Sequence, residues 1–213
     1  MEQIVPAYRG KPQAEKLMFI YSNTFYNLGD YYLAGYQFER FVSSYPLSEK
    51  VEEAAYKGAK SYYFLSPRYS LDQTDTYVAL EKLQAYINRF PEGEFLPEAN
   101  KDVAELTNKL EKKSFEIAKQ YYHIEDYKAA IKSFDNFILD FPGSEFRMDA
   151  YFLRLKAAYD LALRSVNYLV PERLEAAKGY YNSFNRYYSE SERKAEADLI
   201  LQDIEERLQN KQV

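Results

Sequence analysis

Cysteine is missing from the 213-residue chain, and histidine occurs once, at His123. The first absence excludes disulfides, thiolate metal sites and cysteine nucleophiles, and the second leaves almost nothing for metal ligation or general-base work. No catalytic residue, metal or cofactor is expected, and the chain does not read as an enzyme. Glycine (7) and proline (8) are scarce, which leaves too little turn chemistry for a many-stranded sheet. No apolar run approaches the roughly 18 residues of a membrane span. Residues 1–10 lack the basic and apolar stretches of a secretory signal. A basic stripe is missing too: 33 acids and 28 bases are spread along the chain, for a net charge of -5, so nucleic acid is not an expected partner. Freedom from cysteine suits a reducing compartment and the periplasm equally.

What the chain has instead is aromatic residues, with 23 Tyr and 14 Phe but no Trp, and a hydrophobic share of 46%. That is enough to bury a core, and the aromatics recur. Reading back from each aromatic-Pro pair gives Ala34, Phe38, Phe41, Tyr45, Pro46; then Ala79, Leu83, Tyr86, Phe90, Pro91; then Ala130, Phe134, Phe137, Phe141, Pro142. A fourth set, Ala177, Tyr181, Phe184, Tyr188, ends on Ser189. These offsets share one helical face, and Pro past the last of them stops the helix because it has no N–H to donate. Four B helices are predicted, near residues 31–45, 76–90, 127–141 and 172–188, with Phe38, Phe41, Phe134 and Phe137 in the core. Ser48 and Ser144 are expected to cap the next helices, whose first turns would carry Glu49 and Glu145.

A second pattern marks partner A helices: Phe19-x3-Asn23-x2-Tyr26, Tyr56-x3-Lys60-x2-Tyr63, Phe115-x3-Lys119-x2-Tyr122 and Phe152-x3-Lys156-x2-Tyr159. It falls on a different face from Ala55, Ala59 and Tyr62, so each A helix has two working sides. The A–B connection from Ser66 to Thr76 exceeds a usual hairpin turn. From Pro97 to His123 there is neither Gly nor Pro, which predicts one helix of about 27 residues. Residues 191–209 are expected to form an amphipathic closing helix. Ile4, Val5 and Tyr8 match Phe41, Val42 and Tyr45, as if the chain began inside a B helix and an upstream segment were missing.

The runs Gly29-Asp30-Tyr31-Tyr32-Leu33-Ala34 and Glu125-Asp126-Tyr127-Lys128-Ala129-Ala130 resemble the core of tetratricopeptide repeats. The fold class expected is therefore all-α, a right-handed α-solenoid of tetratricopeptide-like helix hairpins. One domain is expected over 1–213, with repeats at about 13–46, 49–91, 95–142 and 145–189 and a cap at 190–210. The order of the helix stops, the long helix ending Ala118-Lys119-Gln120-Tyr121-Tyr122 and the Ser66-Pro67 to Leu71-Asp72-Gln73 loop are similar to the BamD-like outer-membrane assembly lipoproteins, in their Bacteroidetes form. The resemblance implies a lipid-held protein at the periplasmic face of the outer membrane. It would receive unfolded β-barrel precursors and join the periplasmic domains of the barrel-inserting subunit. The lipid-bearing Cys of that family is not in this sequence.

The candidate sites follow. Phe19, Asn23, Tyr26, Tyr56, Lys60 and Tyr63 would form a peptide groove, a guest ring entering between Tyr26 and Tyr63 while Lys60 meets a terminal carboxylate. Phe115, Lys119, Tyr122, Lys128, Lys132, Phe152, Lys156 and Tyr159 would contact the inserting subunit, as the resemblance implies. Arg68, Tyr69 and Asp72 are the docking candidates of the long loop. Each has a plainer reading: the ladder as packing between repeats, the loop as a tolerated insertion. A cytoplasmic or periplasmic peptide-binding scaffold, or a helical accessory domain of a cell-wall enzyme, would share every repeat feature.

Overall fold

The computed structural model of the protein describes residues 13–210, and among these every regular element is a helix. The match of Ile4, Val5 and Tyr8 to a B helix lies outside the described residues. The helices are α1 (Ala14–Leu28), α2 (Tyr31–Ser44), α3 (Val51–Leu65), α4 (Thr74–Arg89), α5 (Leu96–His123), α6 (Tyr127–Asp140), α7 (Arg147–Leu163), α8 (Val170–Tyr188) and α9 (Lys194–Asn210). Successive helices pack as hairpins, as the periodicity predicts. The chain divides into two compact units, the first ending at Leu110 and the second beginning at Glu111, within α5.

In the first unit, Phe38 and Phe41 are fully buried with Ala34 between α1, α2 and the start of α3. Leu83, Tyr86 and Ala79 do the same for α3, α4 and the first half of α5, where Ala99 and Leu106 join them. In the second unit Phe134 and Phe137 pack with Phe115 and Ala150. Phe184 and Leu174 pack with Phe152, Leu155 and the Ile200 and Ile204 side of α9. Each cluster belongs to one hairpin and the helix that follows it. Full burial of a Phe or Leu side chain contributes about 1.5–3 kcal/mol.

The tight A–B turns are built alike. Gly29 (φ 77°) and Glu125 (φ 63°) take the left-handed conformation. Asp30 and Asp126 then cap α2 and α6, each side chain accepting from the backbone N–H three residues on, at 3.2 Å. Glu125 holds a position that Gly fills without a Cβ clash, and its carboxylate is gripped by Arg164.

Two local expectations need correction. Ser48 and Ser144 do not cap α3 and α7: their hydroxyls accept from Lys50 and Phe146 N–H at 3.0 and 3.3 Å, inside a turn that precedes each helix. Accordingly, the first-turn acids are Glu52 and Glu53 on α3 and Asp149 on α7, not Glu49 and Glu145. The long connection also ends earlier, because α4 begins at Thr74.

Candidate interaction faces

On α1, Phe19, Asn23 and Tyr26 are half-buried and turned toward α3. Asn23 Oδ1 accepts from Lys57 Nζ at 2.7 Å, and that ammonium lies 5.9 Å and 5.8 Å from the Phe19 and Tyr26 ring centres. On α3, Tyr56 stacks on Phe95 at 4.9 Å with the rings 6° apart and donates to Asp102 Oδ2 at 3.3 Å. Lys60 Nζ donates to Asp102 Oδ1 at 2.5 Å and sits 3.9 Å from the Tyr63 ring centre, while Tyr63 donates to Glu105. The six residues named for a peptide groove thus lie between consecutive A helices, those of α1 against Lys57 of α3 and those of α3 against Asp102 and Glu105 in the first half of α5.

Burial, with the Asp102 carboxylate beside it, pushes the Tyr56 phenol well up. The bond to Glu105, aided by burial, pushes Tyr63 up to about 12. Both phenols stay protonated at neutral pH and serve as donors.

The position between Tyr26 and Tyr63, expected to be open for a guest ring, holds Phe64. Its ring is 6.1 Å from Tyr26 and 5.4 Å from Tyr63, and it stacks on Tyr31 at 4.5 Å. Phe64 is nonetheless 42% exposed. It was missed in sequence because it follows the last member of the Tyr56-Lys60-Tyr63 set by one residue. Asp102 was missed because nothing local marks it: its role needs α3 beside it.

The loop from Ser66 to Gln73 is closed from within. Gln73, 4% exposed, donates from Nε2 to the carbonyls of Arg68 and Leu71 at 2.9 and 3.0 Å. Thr76 donates to Gln73 Oε1 at 2.8 Å, and Lys109 on α5 donates to Ser66 Oγ at 2.7 Å. Arg68 and Asp72 are exposed on its outer side, and Tyr69 is half-buried.

In the second unit the same rule recurs. Tyr122 donates to Asp160 at 2.7 Å and Tyr159 to Asp203 at 2.6 Å, while Lys156 pairs with Glu196 at 3.2 Å. Lys119 pairs instead with Glu116 on its own helix, at 2.9 Å. Burial and the Asp203 bond push Tyr159 up to about 12, and Arg207 holds the Asp203 carboxyl below its usual range. Phe115 stacks on Phe146 at 5.3 Å and Phe152 meets Phe184 at 6.0 Å edge-on, and both are buried in their clusters. Lys128 and Lys132 stand exposed on α6. The eight residues named for the inserting subunit thus separate into core rings and a polar fringe.

No curated protein sequence matches the chain. A profile of the YfiO family, described as outer membrane lipoprotein, matches residues 1–168. That span takes in the first unit and continues through α7 to the connection before α8. With a match over well more than half its length, carried on helix hairpins from end to end of the described part of that span, the chain belongs to the YfiO family of outer-membrane lipoproteins.

Proposed function

We propose that the protein is a non-enzymatic scaffold of the machinery that assembles β-barrels in the outer membrane. It works at the periplasmic face as a lipoprotein of the outer membrane, and residues 1–213 act as one tetratricopeptide-like repeat domain. Its partners are unfolded barrel precursors and the periplasmic domains of the barrel-inserting subunit. The observation that carries this reading is the family match over residues 1–168.

Precursor segments would lie on the α1–α3 face. Phe64 supplies the exposed ring there, Tyr26, Tyr63, Phe19 and Tyr56 back it, and Asn23 and Lys60 offer polar contacts. Because Asp102 already holds Lys60, the peptide meets a pre-set face rather than an empty slot. The inserting subunit would take the polar fringe of the second unit, Lys119, Tyr122, Lys128, Lys132, Lys156 and Tyr159, with Phe115 and Phe152 fixing the helices behind it. Arg68, Tyr69 and Asp72 offer a further contact from the long loop.

The test is titration of a labelled C-terminal barrel peptide ending in an aromatic residue. Micromolar affinity is expected, about -8 kcal/mol, because ordering a flexible segment offsets much of the contact energy. Tyr63→Ala and Phe64→Ala should each weaken it. Binding that ignores both substitutions would sink the precursor site. A Lys119→Glu, Lys156→Glu variant that still captures the inserting subunit at wild-type affinity would remove the second surface.

A further inference from the structure

A groove of about 340 Å³ opens in the first unit between α2 and α4, floored by α3. Its floor is Ala54, Ala55, Gly58 and Ala59, its walls include Glu39, Lys82, Tyr86 and Arg89, and it shares no residue with the α1–α3 face. The second unit shows what this space accommodates. Ala54 and Ala150 hold the same register, so Ala55 corresponds to Tyr151 and Gly58 to Arg154. There the equivalent groove is filled by the chain itself. Tyr151 and Arg154 are 6% and 8% exposed. The guanidinium pairs with Asp135 at 2.7 Å and lies 4.8 Å and 4.6 Å from the Tyr151 and Tyr180 ring centres. In the first unit the floor keeps only small residues, and no side chain of the described chain takes the place of that ring.

Charge decides what the open groove accepts. Glu39 is the counterpart of Asp135, but Lys82 pairs with it at 2.8 Å, so it is already neutralised. The other nearby acid, Glu52, takes a hydrogen bond from Tyr86 at 3.1 Å. Arg89 stands at one edge, and Arg40 lines an adjoining hollow with Tyr36, Glu39 and Ser43. Among the described residues neither arginine pairs with a carboxylate. Arg40 contacts the Tyr36 ring at 5.7 Å and Arg89 the Phe90 ring at 5.2 Å. On a protein of net charge -5, this is a locally cationic trough with an apolar floor.

We propose that the α2–α4 groove is a second docking site, and that its occupant is a partner segment carrying an aromatic side chain flanked by carboxylates. The ring lies on Ala55 and Gly58, where Tyr151 lies in the other unit, and the carboxylates meet Arg89 and Arg40. A basic segment is disfavoured, since it would face Lys82 and both arginines.

The experiment uses the full chain and a short fluorescein-labelled peptide, Gly-Asp-Glu-Phe-Asp-Glu-Gly, read by anisotropy. Two control peptides replace Phe by Ala or every acid by Lys. The acidic aromatic peptide should bind with a Kd of some tens of micromolar, and both controls at least about tenfold more weakly. Ala55→Tyr, which rebuilds the filling seen in the second unit, should weaken binding by about tenfold, and Arg89→Glu by about fivefold. If Ala55→Tyr lowers the melting temperature, the Arg89→Glu and Arg40→Glu variants carry the result, because both side chains are exposed. Tyr63→Ala, on the other face, should leave binding unchanged. Failure of the wild type to bind, equal binding of the basic or Phe-free peptide, indifference to Arg89→Glu, or loss in Tyr63→Ala would each overturn the site.

Discussion

The Tyr159 hydroxyl on α7 donates to Asp203 on α9 at 2.6 Å, as Tyr63 on α3 donates to Glu105 on α5. Ala99 and Ala197 hold one register, which makes Glu105 and Asp203 equivalent positions. The first half of α5 thus closes its unit as α9 closes the other. Each closing helix brings an apolar side for the core and an acid for the tyrosine.

Removing such a bond should be measurable. Tyr159→Phe keeps the ring packing and deletes only the donor, and Asp203 retains Arg207. The cost expected is about 1 kcal/mol, below the usual value for bonds to charged groups because Asp203 is partly exposed. Urea unfolding followed by circular dichroism reads it, and an unchanged midpoint would mean the bond adds nothing over water.

The same phenols set an alkaline limit. Tyr63 and Tyr159 titrate near 12 in the folded protein against 10.0 for a free phenol. A folded value above the unfolded one contributes stability that is complete below pH 10 and is lost as pH rises through 12. The melting temperature should therefore fall between pH 10 and 12. A Tyr63→Phe, Tyr159→Phe variant should show a shallower fall over that window, and an identical slope would contradict the assignment.

Asp102 is a buried acid whose loss should be costly. It is 3% exposed and receives both Lys60 and Tyr56. Asp102→Ala leaves a mostly buried ammonium without its partner and should cost about 3 kcal/mol. Asp102→Ala combined with Lys60→Met should recover much of that loss. A double variant no more stable than the single one would show that the ammonium escapes to solvent.

Gln73 should control the long loop. Gln73→Ala deletes the donor that satisfies the loop carbonyls and leaves Thr76 with Ser66 Oγ as its one remaining side-chain partner. Trypsin should then cut after Arg68 under conditions where the wild type is resistant. Equal resistance would show that the loop holds its shape without this side chain.

How much of this was legible in sequence depends on the range of the cause. Helix positions were, since Phe38, Phe41 and their counterparts repeat at helical spacing and Pro or Gly-Asp marks the ends. The helix starts were misread at Ser48 and Ser144, because a serine that closes a turn and one that caps a helix look alike until the backbone is seen. The Tyr63 side of α3 was recognised as a working face, but its partners were not. Asp102 and Glu105 sit some forty residues away on a helix with acids all along it, and only packing selects those two. Phe64 was hidden for the opposite reason: it is next to Tyr63 in sequence, where helical geometry usually separates side chains, yet the two rings meet at 5.4 Å.

The hairpin clusters have a kinetic consequence. Phe38 and Phe41 need nothing farther along the chain than α3, and Phe134 and Phe137 nothing beyond α7. Among the described residues no core waits for a distant segment, so their folding reduces to a succession of short loop closures, in the fast regime of locally wired helical proteins. During synthesis each cluster completes once the helix after it has emerged. A chain organised in this way leaves only its most recent helix uncovered at any moment, which limits the time its many aromatic rings stand open to other unfolded chains.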